Sequence, residues 1–168
     1  MYRIFLSYDP DDHDEAAAFA AAFGGSEFEI SAVGISPEDE LLTDPDTHRG
    51  LQRVKSHYLR DTDVTIVMVG EHTWRRHLVD WEIAATILEP RSGLLALLLG
   101  GGDGHAARLP ERLERHQGCT PVHPCPSGPD AHEDLRGWLG ASIAQLSASH
   151  TGDEPRPMVR DIHLEPMC

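Results

Sequence analysis

Asp63-Val64-Thr65-Ile66-Val67-Met68-Val69-Gly70 is the stretch that decides the fold. Six consecutive apolar or β-branched residues without alternation mark a strand covered on both faces, as in a parallel sheet sandwiched between helices. Gly70 ends the run, and Thr73 offers a hydroxyl that can cap a helix reaching about Leu88, with Pro90 just past its end. Upstream, Tyr2 to Leu6 reads as a short apolar strand closing on a Ser7-Tyr8-Asp9-Pro10 loop. Asp11 or Asp12 can cap the alanine-rich helix Glu15 to Phe23, which Gly24-Gly25 stops. Phe28 to Val33 alternates like a half-buried strand.

The polar stretch Gly34 to Arg49 is long for a connection, and long loops in compact domains are often functional. Leu51, Val54 and Tyr58 then have helical spacing. Downstream, Leu94 to Leu99 reads as a fourth strand, Leu109 to Arg115 as a short helix and Pro121-Val122-His123 as a weak fifth strand. Asp130 caps a closing helix with Leu135, Leu139, Ile143 and Leu146 on its apolar face. Strands alternate with helices throughout, without an internal repeat, which implies a five-stranded parallel α/β sheet with helices on both faces. In such sheets ligands bind beyond the carboxyl ends of the strands, here the loops after Leu6, Val33, Val69 and Leu99.

The 168 residues suit one domain, 1–149, followed by a proline-rich polar tail, 150–168, expected to be disordered. A formal net charge of −14 argues against nucleic acid as a partner, because phosphate backbones attract basic surfaces. No run approaches the ~18 apolar residues of a membrane span. Met1 to Ser7 lacks the regions of a signal peptide, so the expected location is the cytoplasm. Three cysteines, Cys119, Cys125 and Cys168, make no disulfide framework. His116, Cys119, His123 and Cys125 crowd into ten residues, but their spacing matches no common zinc module, and no metal is expected. Gly100 to Gly104 lacks the spacing of a phosphate-binding loop and reads as a flexible connection.

Two segments resemble a known family. Arg3-Ile4-Phe5-Leu6-Ser7-Tyr8-Asp9 is similar to the first signature box of TIR domains. The strand ending in Gly70, followed by Thr73, Arg76, Val79, Trp81, Glu82 and Ile83, resembles the TIR-like proteins of Thoeris anti-phage defence. Leu109-Pro110, Arg112-Leu113 and the helix through Trp138 fit the same layout, so the resemblance runs from residue 2 to about 147. Leu78 stands where the family usually has Trp, and Trp81 where it often has Tyr.

The resemblance implies a flavodoxin-like, TIR-like fold. It also implies an enzyme that cleaves the nicotinamide–ribose bond of NAD and makes a cyclic or modified ADP-ribose messenger for a downstream effector. NAD is then a substrate, no cofactor is needed, and self-association is expected. A non-catalytic interaction module is the rival reading, and a flavodoxin or receiver domain a second one. By resemblance, Glu82 is the essential glutamate. Its helical phase puts it at the edge of the Val79, Ile83, Ile87 stripe, where it can face a cleft or pair on the surface with Arg75 or Arg76. Trp81 and Tyr8 can stack on nicotinamide or adenine, or serve as packing aromatics. Phe5 reads as core close to the expected site. Ser7 can bond a phosphate or ribose hydroxyl or simply form a turn, and Arg76 can pair with a pyrophosphate or a surface acid.

Overall fold

The computed structural model describes residues 1–31, 56, 59–88, 91–100 and 108–149, with side chains to 145. The strands are β1 (Tyr2–Ser7), β2 (Phe28–Ser31), β3 (Val64–Val69), β4 (Gly93–Leu98) and β5 (Val122–Pro124). The helices are α1 (His13–Phe23), α2 (His77–Ile87), α3 (Glu111–Arg115) and α4 (Ala131–Ser149). All neighbouring strands are parallel, in the order β2-β1-β3-β4-β5. Alternation predicts the parallel sheet, and this order is the flavodoxin-like one that the TIR-like resemblance implies.

The period of two along each strand divides the core into two layers. Ile4, Leu6, Ile66, Met68, Leu95 and Leu97 pack with Phe19 and Phe23 of α1 and Leu135 and Leu139 of α4. On the other face Val67, Val69, Leu94 and Ala96 meet Val79 and Ile83 of α2 and Leu113 of α3. Phe5 packs beside them with Leu59, Ala84 and Ala85. β3 lies between β1 and β4, and all six of its residues are buried. Each fully buried aliphatic side chain contributes about 1.5–3 kcal/mol, so the central strand has no room for a charge.

Three expectations need correction. The helix anticipated from Thr73 to Leu88 is broken: Thr73–Arg75 form a 3-10 turn, and Arg76 takes an extended backbone (φ −85°, ψ 117°) before α2 starts. Thr73 does not cap the long helix, because its hydroxyl is occupied by the loop before it. At α1 neither Asp11 nor Asp12 supplies a side-chain cap. Instead Asp9 caps a short 3-10 turn, Pro10–Asp12, by accepting the Asp11 N–H at 2.9 Å. Strand ends differ by a residue or so: β1 includes Ser7, β4 starts at Gly93 and β5 ends at Pro124.

Leu135 and Leu139 are buried and Ile143 packs against them, as their spacing predicts. Ala32-Val33, the 34–49 stretch, the helix expected through Leu51, Val54 and Tyr58, Gly101 to Gly104, the Leu146 side chain and the 150–168 tail lie outside the described residues.

Candidate functional site

The chain leaves β1 toward β2 on one side, while β3 pairs on the other side of β1 and continues to β4. Doubly wound sheets open a crevice where the direction of winding reverses, at the carboxyl ends of these two strands. Ser7, Tyr8 and Asp9 end or follow β1. Gly70 to Arg76 follow β3 and lead into α2.

Glu82 sits in the middle of α2 and is 2% exposed, so the surface pairing with Arg75 or Arg76 is overturned. Ser7 at the end of β1 is fully buried, and its hydroxyl donates to Glu82 Oε2 at 2.5 Å. That length is typical of a hydroxyl bonded to a carboxylate. The same helical turn is tied to β3. Thr86 donates its proton to the Glu82 carbonyl at 2.9 Å, and its Oγ1 lies 2.7 Å from Thr65 Oγ1. A hydroxyl has one proton, so Thr65 must be the donor between the two threonines.

Arg76 pairs with two aspartates, one buried and one exposed. Its Nε and Nη2 grip both oxygens of Asp9, the Nη2 contact being 2.9 Å, with Asp11 3.9 Å away. The Asp9 side chain is wholly buried while that of Arg76 is 36% exposed. Burial pushes the Asp9 carboxyl up. The bond from Arg76, the Asp11 N–H and the charges of Arg76 and His72 more than reverse this, leaving it below the ordinary carboxylate value. Asp12 is pushed the other way, by burial first and then by the negative charge of Asp9, with Glu15 and Asp11 adding to it.

Thr73 links the two loops. Its Oγ1 accepts the Gly70 N–H at 2.8 Å and lies 3.3 Å from Asp12 Oδ2. A Cβ at Gly70 would overlap the Asp12 carboxylate, so glycine is what permits this approach. Farther along α2, Asp80 accepts a two-pronged bond from Arg112 of α3, at 2.8 and 2.9 Å.

The other expected site residues separate. Phe5, 1% exposed, and half-buried Trp81 share one apolar cluster with Leu59, Leu78 and Ala84 on the Glu82 side of the sheet. Tyr8 packs with the opposite layer, and its phenol oxygen is 3.3 Å from His13 Nδ1. The alternation of a strand explains this, since Phe5 and Ser7 point one way and the next residue points the other. Asp9, Thr73, Thr86, Asp80 and Arg112 were not picked out as site residues. The legible signal was an acid directly after a strand's carboxyl end, at Asp9; the tie between Asp80 and Arg112 spans separate elements and left no local signal.

The His116 to Cys125 stretch is divided between the layers. Cys119 packs on the α2 side, 4.0 Å from His116 Nδ1, while Cys125 packs on the α1 side. His123 stacks flat on Trp138, centroids 4.1 Å apart. Among the described residues no three His, Cys, Asp or Glu side chains converge on one point.

No curated protein matches the chain. Residues 5–101, more than half of its length, match the family described as Thoeris protein ThsB, TIR-like domain. With the parallel five-stranded sheet in flavodoxin-like order, that match makes the chain a member of the TIR-like family of Thoeris defence proteins.

Proposed function

We propose that the protein consumes NAD, breaking the nicotinamide–ribose bond and releasing a cyclic or otherwise modified ADP-ribose that signals to a separate effector. The observation that carries this reading is Glu82, a carboxylate 2% exposed and bonded to Ser7 at the carboxyl end of β1. Nicotinamide departs as a neutral molecule and needs no acid. The ribose left behind gathers oxocarbenium-like positive charge, which a fixed carboxylate in a dry site stabilises. One glutamate is sufficient for that step. Whether water or the adenine of the same molecule then attacks depends on how the product is held.

In this reading Arg76 contacts the pyrophosphate. Its guanidinium is oriented by Asp9 yet remains part-exposed, which suits a fork that must also meet a ligand. Trp81 is the candidate base-stacking ring on the Glu82 side, with Phe5 backing the site from the core, while Tyr8 lies on the opposite layer. Activity depends on self-association, since an unregulated NADase would drain its own cell.

The test is nicotinamide release from NAD by the purified protein under assembling conditions, with product masses followed in parallel. Glu82→Gln, which keeps the shape of the side chain but removes its charge, is expected to lower the rate by roughly 100-fold or more. Wild-type protein that releases no nicotinamide in any assembly state would leave the chain an interaction module.

A further inference from the structure

We propose that Ser7 is a positioning residue, whose hydroxyl holds the Glu82 carboxylate in one orientation. This rests on the reading of Glu82 as the charge-stabilising group. Ser7 and Glu82 are 0% and 2% exposed, and the oxygen–oxygen distance is 2.5 Å. A buried hydroxyl has one proton to give. Here it goes to Oε2, so the same proton is not available to a phosphate or a ribose hydroxyl.

The donor itself is rigid. Ser7 is paired with Val67 in the parallel ladder between β1 and β3. Glu82 is held from the backbone side by the Thr65–Thr86 relay. The carboxylate is therefore located by two central strands at once, one acting on its oxygen and the other on its helical turn. A carboxylate that must stabilise a developing cation gains most when it need not reorganise during the reaction.

Ser7 is expected to act through Glu82 alone, and that separates it from a ligand contact. Ser7→Ala should lower kcat ~10- to 100-fold, the scale of a small misplacement of a reacting group, with KM changed less than about twofold. Ser7→Thr, which keeps the hydroxyl on a β-branched side chain suited to a strand, should recover most of kcat. Adding Ser7→Ala to Glu82→Gln should cause no further loss. A rise in KM at constant kcat, or an equal loss in both backgrounds, would overturn the assignment.

The same pair is tested without substrate by a double-mutant cycle in urea. Ser7→Ala should shift the unfolding midpoint strongly in the wild-type background and little alongside Glu82→Met, which leaves the hydroxyl no acceptor at that position. Additive shifts sink the proposal. If NAD is not cleaved by wild-type protein but the cycle is strongly coupled, the enzymatic reading has failed while the Ser7–Glu82 link stands.

Discussion

Two neighbouring aspartates in the loop after β1 have opposite electrostatic fates. Asp9 is depressed because Arg76 and a backbone N–H outweigh the burial that pushes it up, whereas Asp12 is raised by burial and by Asp9 itself. A depressed carboxyl adds stability at pH above its unfolded value near 3.8, and that stability is lost as the pH falls through the lower folded value. Asp9→Asn should therefore cost about 2 kcal/mol at neutral pH, since it leaves the Arg76 fork facing an amide. The difference from wild type should shrink in acid. A raised carboxyl works in the opposite sense: it costs stability at neutral pH and regains it as the pH falls through its raised value. Asp12→Asn should consequently be at least as stable as wild type at neutral pH. Urea titrations at neutral and strongly acidic pH measure both, and equal losses for the two variants would contradict this electrostatic account.

At the scale of elements, α2 is the part the site depends on. It is pinned to the β1 end by Ser7–Glu82 and Asp9–Arg76, to β3 by Thr65–Thr86 and to α3 by Asp80–Arg112. Its apolar spacing was readable as a helix, but its start was not. The break at Arg76 arises because the side chain is drawn to an aspartate 67 residues away, and no local propensity records such a partner. On the opposite face, α4 approaches β4 closely at Gly93, where an added Cβ would lie 2.5 Å from Ser142 Oγ and 2.9 Å from the Ile143 nitrogen. Backbone and strand cannot both yield there. Gly93→Ala should destabilise the fold by roughly 1–3 kcal/mol, the usual cost of overpacking. A midpoint in urea unchanged from wild type would show that the helix can slide away freely.

For the molecule as a whole, the dominant quantity is charge. Twenty-eight acidic residues against 14 lysines and arginines leave a net −14. Such an excess repels itself in the compact state. The exposed pairs Arg3–Asp63, Arg115–Glu111 and Arg136–Glu27 oppose this only weakly, because solvent and salt screen pairs at the surface. Screening removes repulsion and attraction together, and repulsion is the larger. Raising the salt from about 0.05 to 0.5 M, which shortens the Debye length well below 10 Å, should therefore raise Tm. A falling Tm in a thermal melt would mean that the ion pairs dominate. No helix among the described residues is long and apolar enough to cross a membrane.

What the residues determined by themselves was the architecture. The unbroken Val64 to Val69 run, the helical spacing of Val79, Ile83 and Ile87, and the apolar face of the last helix are local patterns, and burial of apolar surface turns them directly into a sheet with two helical layers. Glu82 could be singled out only by family resemblance. Its burial, and its bond to a serine 75 positions earlier, came from the folded chain, as did the capture of Arg76 by Asp9 and the separation of Tyr8 from Trp81. Periodicity reports which face of an element is apolar. Which polar groups meet once those faces are buried is set by how strands and helices stack, and that is a property of the tertiary structure alone.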